Sequence, residues 1–280
     1  MKNRAREQAG HLFRRQIFPF AYARGFSSEK SVDEKYMLTH IIIGCILGLA
    51  LAGFVQGALG FGFGMVSMAL LPLFISVREA TPLVVLFTLP IVLLVFCAHW
   101  RHFRWRDGWL LVIGTCIGIP LGVYLLAVAP ADLLLRLLGA VLLIFAVQEL
   151  WTSWRGTAKL RLAKWTGLPI GILSGMLSGA FSSGGPPLVA YVYSKPWNKE
   201  RIIAMLQLLF TVGAVMRTGV MFQEGFFTAH IMHIAIWAVL PVTATALVGT
   251  RILKKVPTEQ MRTSVFVFIG LIALKFIVWA

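Results

Sequence analysis

Eight stretches of this chain are apolar for long enough, or nearly so, to cross a bilayer as helix: residues about 37–76, 80–99, 108–128, 132–150, 166–194, 201–222, 228–250 and 263–279. At a helical rise of about 1.5 Å per residue, roughly 20 apolar residues span the hydrocarbon core. Composition agrees, since only 13% of the 280 residues are charged and 58% are hydrophobic, against about 25% charged in soluble domains. A transmembrane barrel would show alternating segments of about ten residues instead. The expected fold is therefore an all-α polytopic membrane protein with about eight membrane segments.

The acidic residues constrain function by where they are absent. All eleven lie in the N-terminal tail (Glu7, Glu29, Asp33, Glu34) or in connections and helix ends (Glu79, Asp107, Asp132, Glu149, Glu200, Glu224, Glu259). Cation carriers and proton relays usually place a carboxylate within the membrane to offset the substrate's charge, so a cation substrate is disfavoured. The net charge of +15 suits a small anionic substrate or anionic lipid head groups, although much of it is the loop lysine and arginine that sets topology. The partners expected are the bilayer and a small anion, with homo-oligomers allowed for and no nucleic acid.

Cys45, Cys97 and Cys116 fall within apolar runs and form no CxxC pair, so neither a disulfide framework nor a metal site follows. His99 and His102 flank a connection, while His230 and His233 share a face without an apparent third ligand. No metal and no cofactor are expected. Residues 1–36 form a basic tail carrying Arg4, Arg6, Arg14, Arg15 and Arg24. Its "AYARGFSSEK" end is similar to a transit-peptide processing site, but acids occur in it, and a basic tail before a first span also suits a bacterial inner membrane. The bacterial, multi-pass reading is preferred.

The chain also looks duplicated. Gly53-x-x-x-Gly57-x-Leu59 slides onto Gly171-x-x-x-Gly175-x-Leu177 at an offset of 118, and Pro130 meets Pro257 at an offset of 127. This suggests a first membrane repeat at 37–151, a polar linker at 152–165 and a second repeat at 166–280, each with four elements. The connection around Arg101, Arg104 and Arg106 is basic and the one at Ala129 to Ala131 is not; in the second half the connection at 223–229 lacks Lys and Arg, whereas the one holding Arg251, Lys254 and Lys255 is rich in them. By the positive-inside rule, such an exchange is expected of inverted repeats, which require an odd number of crossings per half. The elements able to supply the odd count are 37–76 and 166–194, each too long for one span and each broken near its middle by glycine, as a re-entrant hairpin or as two half-helices.

The second break, "SGAFSSGGPPLVAYVYS" from Ser178, holds the chemistry. Inside hydrocarbon, non-helical backbone survives only where protein or a wet cavity satisfies it. Gly184 and Gly185 permit the turn, and Pro186 and Pro187 suit the first turn of a following half-helix. Its start would present amides and the positive end of the helix dipole to an anion, with the hydroxyls of Ser182 and Ser183 beside it. In the first half, "QGALGFGFGMVS" offers Gly60, Gly62 and Gly64 with the amide of Gln56. Opposed breaks of this kind form midplane sites in secondary transporters. The competing explanation is small-xxx-small helix packing, which suits Gly53/Gly57, Gly171/Gly175 and Ser174/Ser178 better than it suits tandem prolines.

Glycine-rich breaks opening two homologous halves, the second reading Ser182-Ser183-Gly184-Gly185-Pro186-Pro187, resemble the TauE/SafE family of sulfite exporter-like permeases. The resemblance covers about residues 38–280. It implies a secondary transporter of small sulfur-containing or organic anions such as sulfite or sulfonates. One departure is that Phe61 and Phe63 interleave Gly60, Gly62 and Gly64, where the family resembles Gly-x-Gly-Gly-Gly; this narrows or greases the site.

Arg217 lies well inside a late apolar run. It could grip an oxyanion bidentately, but an arginine near a helix end more commonly extends to the head groups. Gln207 on the same run suits an interhelical hydrogen bond. Two other functions are weighed: a channel, which the sequence does not separate from a carrier, and an enzyme, which fits less well. A passive anion channel would share the site but lack exchange. An intramembrane serine protease would need a glycine two places before Ser183, where Phe181 stands, and no HExxH occurs. The chain is not expected to be an enzyme.

Overall fold

The computed structural model describes residues 31–59, 62–99, 105–155, 162–252 and 258–279. Among them lie ten α-helices, a 3-10 turn at Leu71–Leu73 and no strand. In chain order the helices are α1 (Ser31–Leu59), α2 (Phe63–Leu70), α3 (Val77–His99), α4 (Trp105–Val128), α5 (Ala131–Arg155), α6 (Gly167–Phe181), α7 (Gly185–Tyr193), α8 (Lys199–Gln223), α9 (Ala229–Ile252) and α10 (Thr258–Val278). Most of the basic tail, and the connections holding Arg101, Arg104, Lys254 and Lys255, lie outside the described residues.

Five helical stretches are long and apolar enough to cross a membrane: His40–Ala58, Gly108–Val128, Ala131–Trp151, Glu200–Gln223 and Ala229–Gly249. Phe63–Leu73, Gly167–Phe181 and Thr263–Val278 are apolar but shorter. The outward side chains are themselves large and apolar, Leu240, Phe222, Ile236 and Trp237 among them, as hydrocarbon rather than water would require. The chain is a helical, multi-pass membrane protein.

The runs 37–76 and 166–194 exceed one span because each holds two helices separated by three residues. Both fold back on themselves. Along the first, Gly48 meets Leu70 and Gly44 meets the Phe74 ring, so α2 and its 3-10 turn descend alongside α1. Along the second, Tyr191 Oη donates to Lys164 O at 3.2 Å and Lys195 Nζ to Leu162 O at 2.7 Å, which returns the end of α7 to the start of α6. Each turn needs left-handed backbone. Gly62 has φ 99° and Ser182 has φ 54°, the second in a region that costs a side-chain-bearing residue about 1–2 kcal/mol.

The hairpins enter from opposite ends of the bundle. Gly171, Gly175 and Gly179 of α6 press on the carbonyls of Leu111, Thr115 and Ile119 of α4, so α4 and α6 run parallel. Gly53 and Gly57 of α1 press likewise on Val242 and Ala246 of α9. Arg78, at the start of α3, donates to Leu126 O and Ala129 O at 2.9 and 2.6 Å. The α1–α2 hairpin therefore opens toward the end of α4, and the α6–α7 hairpin toward its start.

The most extensive helix contacts are α4 with α6, α1 with α9, α5 with α10 and α3 with α8. Numbered within each half, the first two pair a first helix with the fourth element of the other half, and the last two pair like with like. Counted from the breaks, Gly53 and Gly57 match Gly175 and Gly179, one helical turn beyond the sequence match to Gly171 and Gly175. The glycines of α6 recur every four residues, and a pattern with that period cannot tell one turn from the next.

Candidate functional site

The two breaks touch. A methyl group on Gly64, in the first turn of α2, would collide with the carbonyl oxygen of Ser182. Only a glycine lets these backbones approach so closely. Around the contact, Thr81 Oγ1 of α3 lies 3.1 Å from Ala180 O and 2.8 Å from Val77 O of its own helix. The Phe63 and Phe87 rings stand 6.1 Å apart. The crossing is thus an apolar wall on the α2 side and a polar one on the α6–α7 side.

In the first break, the Gln56 amide has a structural task. Its Oε1 accepts from Phe63 N–H at 3.0 Å, which caps α2 where the N-cap Gly62 has no side chain to do so. Gly60 lies outside the described residues, while Gly62 turns the chain and Gly64 admits Ser182.

In the second break, α7 begins at Gly185 with proline in its first turn, as the sequence suggests. Pro186 and Pro187 carry no N–H, so the backbone donors at this helix start are the amides of Gly184 and Gly185. Ser183 is 1% exposed, and its hydroxyl donates to Phe181 O at 3.1 Å, which holds the turn. Ser182 Oγ, by contrast, is buried with no hydrogen-bond partner. Gly184 nests against α6, where its carbonyl accepts from Ser174 Oγ and a methyl group would lie 2.7 Å from Ser178 Cβ. The Phe210 ring covers Gly185 from α8.

Arg217 does not extend to the head groups. It is only 3% exposed, and its Nη1 donates to Ser178 O at 2.8 Å and to Ser178 Oγ at 3.2 Å, while Nε has no partner. The physical reason is that α8 packs against the hairpin, where the electronegative last turn of α6 accepts from the guanidinium. Ser174 and Ser178 are the functional-looking residues that sequence reasoning assigned to helix packing. Their glycine neighbours do pack, but the serines reach Gly184 and Arg217. A serine at four-residue spacing beside a helix break was the available signal.

Gln207 Oε1 is buried without a partner, and His233 accepts from Trp237 Nε1 at 3.2 Å on the exposed face of α9. Among the described residues no group of three His, Cys, Asp or Glu side chains comes together.

Two helix hairpins that meet at their breaks inside a helical membrane bundle suit a transporter-like architecture. The chain belongs to the TauE/SafE sulfite exporter family, whose model matches residues 45–276. A relative from Cupriavidus necator, the "Probable sulfite/organosulfonate exporter TauE", is 31% identical over 219 residues, covering 74% of this chain and 83% of that one. The "Probable inner membrane transporter protein TsaS" of Comamonas testosteroni is 26% identical over 195 residues, 67% of this chain and 78% of its own. No solved structure matches the chain significantly.

Proposed function

We propose that this protein is a secondary transporter of the bacterial inner membrane that carries small sulfur-containing or organic anions, sulfite and sulfonates among them, through a site where its two hairpins cross. The observation that carries the reading is the contact of Gly64 with Ser182, which brings both helix breaks to one place. The site draws on Gln56, Gly60, Gly62 and Gly64 from the first break and on Ser182, Ser183, Gly184, Gly185 and Pro186 from the second, with Arg217 behind them. Gln56, Gly64 and Ser183 shape it. The Ser182 hydroxyl, the Gly184 and Gly185 amides and the guanidinium of Arg217 face the anion as donors.

The two halves, 37–151 and 166–280, act as inverted repeats. Entry of the hairpins from opposite ends and the reciprocal pairing of α4–α6 with α1–α9 support this, because a hairpin plus three further helices gives each half an odd number of crossings. Export is the favoured direction: a negative interior assists an outgoing anion by about 2.3 kcal/mol per charge per 100 mV. The testing experiment is flux of labelled sulfite and of a sulfonate panel in vesicles, with Pro186→Ala, Ser182→Ala and Ser183→Ala alongside wild type. Saturable flux that exchanges with unlabelled anion and falls in these variants is the expected result. Flux of every anion unaltered by all three would remove the hairpin from the substrate's path.

A further inference from the structure

Arg217 has a charge that nothing around it balances. Away from the helix ends, it is the one charged residue along the described parts of α8, α4 and α6. On α8 the acids Glu200 and Glu224 stand at the ends, on α4 Asp107 stands in the first turn, and α6 has none. A buried cation without a paired acid is costly unless something negative visits it.

Two hydroxyl-bearing residues border the turn of α8 before it. Gly213 lies one turn before Arg217 on the same face of α8. A methyl group placed on Gly213 would lie 3.8 Å from Ile119 Cδ1 and 3.9 Å from both Ser178 Oγ and Thr115 Cγ2. α6 therefore brings the Ser178 hydroxyl, and α4 the methyl side of Thr115, to the face of α8 one turn before Arg217. Thr115 is 2% exposed, and its Oγ1, like Arg217 Nε, is buried with no hydrogen-bond partner. Ser178 Oγ accepts from Arg217, which directs its own proton elsewhere. A guanidinium and two hydroxyls, with no acid among them, match the oxygens of an anion. One cation matches one negative charge.

We propose that Thr115, Ser178 and Arg217 form a buried subsite, walled at Gly213, that takes the oxygens of a singly charged oxyanion. The subsite adjoins the second break through Ser178, which also touches Gly184. It deepens the transport reading and rests on it. The anion would displace the Arg217 guanidinium from Ser178 in part, leaving Ser178 O still paired with the Ser182 amide at 3.0 Å.

The full-length protein in liposomes tests this with methanesulfonate and sulfite as probes, read as half-saturation concentration in exchange flux, with thermal unfolding as the folding control. Thr115→Val keeps the shape but removes an unpaired buried hydroxyl, so unfolding should be unchanged or raised while half-saturation rises about tenfold. Gly213→Ala meets only ordinary contacts and should fold normally yet crowd the proposed subsite, with a similar rise. Arg217→Leu should abolish saturation without lowering the unfolding temperature. Ethanedisulfonate, a dianion, should compete poorly. Half-saturation unchanged in both Thr115→Val and Gly213→Ala overturns the subsite while carrier function stands, and strong competition by the dianion overturns its charge selectivity. Absence of flux of either probe in wild type overturns both readings. Flux untouched by Pro186→Ala and Ser182→Ala but impaired by Thr115→Val overturns the hairpin site and keeps this one.

Discussion

The two helix breaks occupy matching places in the chain and are built from opposite materials. Each leaves three residues between helices and each turns through a left-handed residue, Gly62 in the first and Ser182 in the second. The first is closed: Gln56 caps the returning helix and Phe63 packs with Phe87. The second is buried but holds unpaired donors. Its Ser182 hydroxyl is unpaired, two prolines thin out its amides, and a buried arginine stands behind it. On the proposed reading, the contrast separates two tasks that a symmetric pair of breaks would share, with one hairpin as the apolar wall and the other as the source of donors.

Substitutions can break that contrast. The largest effect is expected from Gly64→Val, since any side chain there strikes the backbone of Ser182; overpacking of this kind costs about 3 kcal/mol, read as loss of folded protein in detergent. Next, Gln56→Leu leaves the Phe63 amide unpaired and should destabilise by about 1–3 kcal/mol, while the half-saturation of the surviving protein barely moves. Ser182→Ala should reverse that pattern, with stability unchanged within about 0.5 kcal/mol and anion affinity reduced several-fold. Gly62→Ala separates conformation from space: the nearest atom to an added methyl is Val55 Cγ1 at 3.9 Å, so only the positive φ is penalised, by about 1 kcal/mol. Smallest of all, Ser182→Gly should relieve a similar penalty and stabilise slightly, yet still lose affinity with the hydroxyl.

Much of this architecture is legible in the amino-acid order because hydrocarbon imposes length and continuity on every helix. Runs too long for one span, interrupted by Gly60-Phe61-Gly62 and by Ser182-Ser183-Gly184, announce two broken elements, while the choice between a hairpin and two half-helices does not show in the sequence. The register between the halves is not legible in the same way. Gly167, Gly171, Gly175 and Gly179 repeat at four residues, so a slide by one turn preserves the match, and only the positions of the breaks choose between them. The direction of Arg217 is hard to read for a related reason. Its distance from a helix end is compatible with reaching lipid, and what draws it inward is the last turn of α6, a neighbour that sequence order does not reveal. Ser178 and Thr115 look like packing residues because their backbones do pack; the direction of their hydroxyls depends on which helix stands opposite.

Water and anion access to the second break is the most direct point of decision. In a background with Cys45, Cys97 and Cys116 replaced by alanine, a Ser182→Cys thiol can be challenged in membranes with a small charged methanethiosulfonate. A cavity at the hairpin crossing predicts that the thiol reacts and that saturating methanesulfonate or sulfite slows the reaction. A thiol unreactive from either side of the membrane, or one labelled at the same rate with and without anion, would contradict it.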